Sequence, residues 1–275
     1  MIVRHIFRLS ICLSLLCVVS VAMCETLTFG IVPQQSAKKL AETWQPLIDC
    51  LEESTSLSIE FQTAKDIPTF EARLANGDYD IAYMNPYHYI VFSDSPGYQA
   101  LVKQKDKKIT GIIVVRADSP IQTLDELNGM RLAFPAPAAF AATIIPSAHL
   151  RQQNISINPH YVYSHDSVYL NVVREFFPAG GGIMRTLGTI DEATQQNLRV
   201  LWKSPGFTPH AIATHPDVSE DVRMALEKAF LALSPDATHQ ALLHKMGFTQ
   251  FESAQNSDWD DVRALGIVSL ARPHL

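Results

Sequence analysis

Cysteine is scarce in this chain of 275 residues, which contains four. Cys12, Cys17 and Cys24 lie within the first 24 residues, so Cys50 alone remains in the body of the chain. A single cysteine excludes an internal disulfide, and it excludes a zinc site built on paired cysteines. We therefore expect the fold to be stabilised by an ordinary hydrophobic core.

An excess of positive charge is also lacking. The chain carries 22 basic and 28 acidic residues, for a formal net charge of −6. Nucleic acids and anionic membrane surfaces attract basic proteins. The charge balance therefore argues against nucleic acid and against a lipid surface as partners.

Motifs typical of catalysis are missing as well. Neither H-E-x-x-H, nor G-x-G-x-x-G, nor the nucleophile motif G-x-S-x-G occurs. The triplet His165-Asp166-Ser167 contains the residue types of an acyl-transfer triad, but such triads are assembled from separate segments of a chain. We expect no enzymatic activity, no catalytic residue, no bound metal and no cofactor.

The first 24 residues have the pattern of a signal peptide. Basic Arg4 and Arg8 precede an apolar run, Leu9 to Ala22, that is short for a membrane span. Cleavage after Cys24 would begin the mature protein at Glu25 and place it in the periplasm. A lipoprotein acylated at Cys24 remains the alternative.

Strand and helix patterns alternate along the rest of the chain. Strands are predicted at Leu27–Val32, Leu57–Gln62 and Tyr79–Met84, with helices at Ser36–Glu53 and Ile67–Asn76 between them. Short connections between such elements indicate βαβ units and a parallel sheet.

A second alternating block follows, and it leads to a prediction of two lobes. We expect an α/β fold in which each lobe is a mostly parallel sheet flanked by helices. The chain would cross between the lobes near Val115–Ala117 and again near Gly206–Thr214. Lobe 1 would then comprise residues 25–115 and 212–275, and lobe 2 residues 116–211.

The turn at Asn85-Pro86 is the strongest local signal for a binding site. Pro86 suits the first position of a helix, Asn85 can cap that helix, and the turn follows a predicted strand. Ligands of open α/β sheets bind at the carboxyl ends of strands. We therefore predict that Asn85, Tyr87 and Tyr89 line a pocket; packing in the core is the alternative for each ring.

The sequence contains four motifs in a characteristic order and spacing: Phe29–Pro33, Gly77–Ala82, Thr123–Gly129 and His165–Val168. Through them the chain resembles the periplasmic substrate-binding proteins of the phosphate/phosphite/phosphonate ABC-transporter family from about residue 27 to about 235. The resemblance implies a type II periplasmic-binding fold, a ligand closed between two lobes, and no catalysis.

The resemblance also implies partners. A small anionic or zwitterionic ligand, phosphonate-like or related, would be captured and delivered to the permease of an ABC transporter by a monomeric receptor. The alternative is a periplasmic ligand-sensing subunit of a sensor histidine kinase or cyclase system, because the same fold serves both uses.

One loop departs from the family pattern. Phosphonate binders place serine and threonine hydroxyls where this chain has Pro135–Ala142, and the first hydroxyl here is that of Thr143. Backbone N–H groups and the helix dipole could still hold an anion. We therefore expect weak binding of phosphate and simple alkylphosphonates, and a preference for a ligand with an apolar face against Ala138, Ala139 and Phe140.

Two further segments complete the predicted site. His165 would face the cleft, while Asp166 or Ser167 would cap the following helix. The run Gly180–Gly182 would allow close approach of a ligand or form a plain tight turn, and Arg185 could pair with an anionic group through two hydrogen bonds. The predicted ligand-binding residues are Asn85, Tyr87, Tyr89, Ala138, Ala139, Phe140, His165, Ser167, Gly181 and Arg185.

Overall fold

The computed structural model describes residues 26–233 and 237–267. The predicted leader, Cys24 included, lies outside these residues. Within them the strands β1 to β11 are Thr26–Ile31, Ser58–Thr63, Ile81–Met84, Gln99–Gln104, Gly111–Arg116, Arg131–Phe134, Asn158–Tyr161, Ala179–Ile183, Leu198–Lys203, Ala211–Thr214 and Phe251–Ser253.

Helices connect most of these strands. In chain order α1 to α10 are Ala37–Thr55, Ile67–Asn76, Pro86–Phe92, Ile145–Gln152, His165–Val173, Met184–Leu187, Glu192–Gln196, Glu220–Ala232, Ala237–Lys245 and Asp260–Arg263. A π-helical turn, Phe140–Ile144, runs directly into α4, and we call it the π-turn. No helix in the described ranges is both long and apolar enough to span a bilayer.

The strands form two mixed sheets. The first has the order β11-β4-β10-β3-β1-β2 and the second β7-β6-β8-β5-β9. In the first, β1 is parallel to β2 and β3, but β10 is antiparallel to β3 and β4. In the second, β6 is parallel to β7 and β8, but β5 is antiparallel to β8 and β9.

The α/β fold with sheets flanked by helices is confirmed; both sheets are mixed, because β10 and β11 in the first and β5 in the second run against the other strands. Strands joined by crossover helices run parallel. Strands β5 and β10 instead enter their sheets directly from the other sheet. Each therefore begins at the edge where the parallel strands end, and it must run in the opposite direction.

Two segments, 105–110 and 204–210, connect the sheets. They pair with each other, because Ile109 N–H donates to the Phe207 carbonyl at 2.7 Å and Phe207 N–H donates back at 3.0 Å. Since β5 begins at Gly111 and belongs to the second sheet, the crossing expected near Val115–Ala117 was placed too late.

Helix starts follow the capping residues in the sequence. Asn85 Oδ1 accepts from His88 N–H at 2.8 Å and so caps α3 as predicted. The cap of α5 differs from the prediction, because Ser164 Oγ accepts from Ser167 N–H at 3.1 Å. Asp166 and Ser167 therefore lie inside the helix, and His165 is its first residue.

Candidate functional site

The carboxyl ends of the parallel strands of both sheets face one small cavity. Gln34 follows β1 and Asn85 follows β3, while His165 begins α5 and His210 ends the second connection. The π-turn closes the opposite wall through residues 139–142. We call this cavity the cleft. Its position is the one at which open α/β sheets bind ligands.

The π-turn presents backbone N–H groups to the cleft. No backbone or side-chain acceptor among the described residues takes the N–H groups of Phe140, Ala141 and Ala142, whereas Thr143 N–H donates to the Ala139 carbonyl at 2.7 Å. These are the orphan donors of a helix start, where the helix dipole favours negative charge. The Thr143 hydroxyl donates to the Ala136 carbonyl at 2.8 Å, so its proton is already engaged.

Two glycines let the π-turn lie directly on the second sheet. A Cβ atom on Gly181 would lie 1.9 Å from the Ala142 carbonyl oxygen, and one on Gly111 would lie 2.1 Å from the Ala141 carbonyl oxygen. Only glycine permits such contact between a strand and a helix start. Gly181 is therefore behind the π-turn and does not line the cleft.

Two buried imidazoles, those of His165 and His210, line the cleft together with the π-turn. His165 is 2 % exposed, and burial, followed by the positive charge of Arg185, lowers its pKa to about 3. Burial and the same arginine also hold the pKa of His210 well below its usual value. Both rings are neutral at neutral pH, so each offers one donor and one acceptor nitrogen.

The low pKa of His165 gives a pH dependence that can be measured. Above pH 6.5 the ring is neutral in the folded and unfolded chains; between pH 6.5 and about 3 only the unfolded chain binds the proton. The free energy of unfolding should therefore fall by about 1.4 kcal/mol per pH unit from this histidine as the pH drops through that window.

Denaturant unfolding of a His165→Gln variant checks this. Between about pH 7 and pH 5 the variant should lose about 2 kcal/mol less stability than the unaltered protein. The same substitution at the exposed His160 is the control. Equal acid sensitivity of His165→Gln and the unaltered protein would assign the effect to other groups.

Arg185 brings a positive charge to the edge of the cleft. Its guanidinium donates to the Gln34 side-chain oxygen and lies 5.7 Å from the Tyr83 ring centroid and 5.6 Å from that of Phe248. In the part of the chain that the structure describes, no carboxylate oxygen comes within 4 Å of it. The cleft therefore lies beside one charge without a counter-ion, which favours an anionic ligand.

Hydrogen bonds between the lobes close the cleft. Asn85 Nδ2 donates to the Ala138 carbonyl at 3.3 Å, and Lys39 Nζ donates to the Thr189 carbonyl at 2.8 Å. His165 N–H donates to the Gln34 carbonyl at 3.0 Å. The structure is thus that of two lobes in contact, and Asn85 acts at the interface with Ala138.

Not every predicted residue lies in the cleft. The Tyr87 hydroxyl donates to the Ile267 carbonyl at 3.2 Å, and the Tyr89 hydroxyl donates to Asn256 at 3.1 Å. Both rings are buried in the core of the first lobe, against the C-terminal segment. The Ser167 hydroxyl accepts from Ser164 Oγ at 2.9 Å at the start of α5. These contacts assign all three residues to structure, and the prediction that the tyrosines form a pocket wall gains no support.

Other cleft residues were absent from the prediction. Gln34 lines the cleft and joins Arg185 to His210, whose Nε2 lies 2.8 Å from Gln34 Nε2. Tyr83 stacks on His210 at 4.9 Å with an interplanar angle of 15°. The signal for Gln34 was available, because it directly follows the motif Phe29–Pro33 at the end of a parallel strand.

Comparison with known proteins identifies the family. A family model for periplasmic substrate-binding proteins of phosphonate ABC transporters matches residues 29–259. This chain belongs to that family. It is 21% identical to the phosphate-import protein PhnD of Mycolicibacterium smegmatis, over 89% of this chain and 81% of the relative.

Solved structures agree with the fold. A binding protein of a phosphonate ABC transporter from Pseudomonas aeruginosa has a TM-score of 0.81 at 15% identity, covering 88% of this chain and 85% of that one. PhnD1 of Prochlorococcus marinus, in complex with methylphosphonate, has a TM-score of 0.80 at 16% identity, covering 88% of this chain and 97% of its own. The type II periplasmic-binding fold and the role as a transporter's substrate-binding protein are confirmed.

Proposed function

We propose that this protein closes on a small oxyanion in the cleft, as a monomer in the periplasm, and delivers it to the permease of an ABC transporter. The observation that carries the proposal is the set of three N–H groups of the π-turn that have no acceptor, in a cleft that is also lined by two neutral imidazoles and lies beside the charge of Arg185. Oriented N–H donors at a helix start are suited to phosphonate or phosphate oxygens.

A role without catalysis is supported by the same geometry. His165 Nδ1 lies 3.4 Å from Thr186 Oγ1, while the Ser167 hydroxyl is engaged with Ser164. The three members of the suggested triad therefore do not form a hydrogen-bonded relay. A sensory subunit for a kinase or cyclase is not favoured, because the family model and the relatives describe transport proteins.

The lack of serine and threonine hydroxyls in the π-turn's part of the cleft should lower the affinity for phosphonate and phosphate. The π-turn supplies N–H donors but no Ser or Thr donor to the cleft, and each lost charge-assisted hydrogen bond is worth about 1.5–3 kcal/mol. Two such losses correspond to a factor of about one hundred or more in affinity. We therefore expect saturable but weak binding of methylphosphonate and inorganic phosphate.

Isothermal titration of the mature chain tests the proposal. Methylphosphonate, phosphate, acetate and glycine form the panel, and saturable heat is expected for the phosphorus oxyanions. No saturable heat with any phosphonate or phosphate would overturn the proposed function. Submicromolar affinity for methylphosphonate would instead show that the main-chain donors are sufficient alone.

A variant that adds one serine hydroxyl to the cleft tests whether the missing hydroxyls weaken binding. Ala139 lines the cleft, whereas Ala138 does not, so Ala139→Ser tests the site and Ala138→Ser is the control. We expect Ala139→Ser to strengthen methylphosphonate binding about tenfold, the value of one added hydrogen bond. An equal gain from both variants would point to an effect unrelated to the cleft.

A further inference from the structure

We propose that Arg185 forms a second anion subsite, so that the preferred ligand is a phosphonate with an anionic group at its other end, such as a phosphonocarboxylate. The inference rests on the proposed function and specifies its ligand class. In it, the oxyanion of the phosphonate occupies the cleft while the distal carboxylate pairs with Arg185.

Arg185 is held in place before any ligand arrives. Tyr83 and Phe248 lie at 5.7 Å and 5.6 Å from its guanidinium, and Gln34 accepts one of its hydrogen bonds. A guanidinium has five N–H donors, so further donors remain for a ligand. Because this side chain is already ordered, it loses little rotamer freedom on pairing with a carboxylate, and the planar fork suits two parallel hydrogen bonds.

Arg185 belongs to a different cavity from the π-turn. An outer cavity is lined by Arg185, Tyr83 and Gln34, and residues 139–142 do not line it. The cleft, in turn, is lined by residues 139–142 and Gln34 but not by Arg185. Val32 and Gln34 line both cavities, so the two lie side by side, and the proposal places the phosphonate on one side of Gln34 and the distal carboxylate on the other.

Charge makes the outer cavity suitable for an anionic group. Besides Arg185 its walls include Lys39 and Lys245, with Glu42 as the carboxylate in the lining. Glu42 is 64% exposed and lies 3.9 Å from Lys38. A distal ammonium group would meet an excess of positive charge there, so the cavity disfavours aminoalkyl phosphonates.

Lys39 already interacts with polar and acidic groups of the protein. Arg185 is therefore the main determinant of the preference for an anionic distal group. Lys39 Nζ already donates to the Thr189 carbonyl at 2.8 Å, and the carboxylates of Asp166 and Asp191 lie close enough to interact with its charge. Arg185 has no comparable counter-ion among the residues that the structure describes. The selectivity should therefore depend on Arg185.

Titration of four phosphonates tests this ligand class. The probes are methylphosphonate, 2-aminoethylphosphonate, phosphonoacetate and 3-phosphonopropionate. We expect one of the two phosphonocarboxylates to bind about 10- to 100-fold more tightly than methylphosphonate, which corresponds to one charge-assisted pair. The aminoalkyl compound should bind more weakly than methylphosphonate.

An Arg185→Gln variant tests whether Arg185 is responsible for the tighter binding of the phosphonocarboxylate. It should weaken binding of the phosphonocarboxylate at least tenfold more than it weakens binding of methylphosphonate, because only the phosphonocarboxylate has a second anionic group to pair with the guanidinium. Arg131→Gln is the matched control, since Arg131 also lies over an aromatic ring, that of Phe177 at 5.4 Å, but on the outer side of the second lobe. If Arg185→Gln does not fold, the ligand series on the unaltered protein still decides the proposal.

The outcomes separate the two proposals. If no phosphonate binds, the proposed function fails. If methylphosphonate binds as tightly as both phosphonocarboxylates, or 2-aminoethylphosphonate binds best, the second subsite is wrong and the proposed function stands. If Arg185→Gln weakens all four ligands equally, Arg185 holds the phosphonate oxyanion itself, and the second subsite is likewise overturned.

Discussion

Gly181→Ala is expected to destabilise the protein by about 1–3 kcal/mol through overpacking and to weaken phosphonate binding tenfold or more. The new Cβ atom would lie 1.9 Å from the Ala142 carbonyl oxygen and 2.6 Å from the Phe134 ring. The π-turn must then move away from β8. Its N–H groups are the donors in the proposed site, so their displacement would cost hydrogen bonds to the anion.

The control for Gly181→Ala is Gly188→Ala. Gly188 follows α6 in the same lobe, and a Cβ there meets atoms no nearer than 3.5 Å, which is ordinary contact. Thermal unfolding and calorimetric titration should show a loss of both stability and affinity for Gly181→Ala, and neither for Gly188→Ala. Normal affinity in a destabilised Gly181→Ala protein would show that the π-turn tolerates the shift.

Tyr89→Ala is expected to cost about 3–5 kcal/mol of stability, as for other large aromatic side chains removed from a core. The ring lies 4.3 Å from that of Trp259, and the hydroxyl donates to Asn256 at 3.1 Å. Both partners belong to the C-terminal segment of the first lobe. Since neither contact reaches the cleft, ligand affinity per folded molecule should not change.

A milder variant keeps this test usable if Tyr89→Ala does not fold. Tyr89→Phe removes only the hydroxyl and should cost about 1 kcal/mol. Tyr163→Ala, at a tyrosine that is 67 % exposed, is the surface control. Chemical denaturation gives the stability and titration the affinity; a fall in affinity at unchanged stability would place Tyr89 in the cleft after all.

The fold could be predicted from periodicity and caps because those signals are local. The helix expected at Ile67–Asn76 is α2, with those same bounds, and Asp66 Oδ1 caps it by accepting from Thr69 N–H at 2.8 Å. The directions of β5 and β10 within their sheets could not be predicted from such local signals. They depend on which edge of a sheet the chain enters, and that is a property of the two lobes together.

The binding site was predictable in part, for a related reason. Asn85 and His165 stand at helix starts after strands, so their places in the cleft follow from sequence order. The direction in which Tyr87 and Tyr89 point depends on the C-terminal segment packed beside them, more than 160 residues away along the chain. His210 was not predicted, because its stacking on Tyr83 joins residues from elements far apart in the chain.

If the π-turn holds the anion through main-chain atoms, this affects how such a receptor diverges. Main-chain donors do not depend on which side chains the turn carries, and they are lost only when a substitution displaces the backbone. Random mutagenesis should therefore find binding most sensitive at Gly111 and Gly181, behind the turn, where a side chain displaces the backbone. Substitutions at Gln34 and Arg185, which line the outer cavity, can then change the ligand preference while the main-chain donors to the oxyanion stay the same.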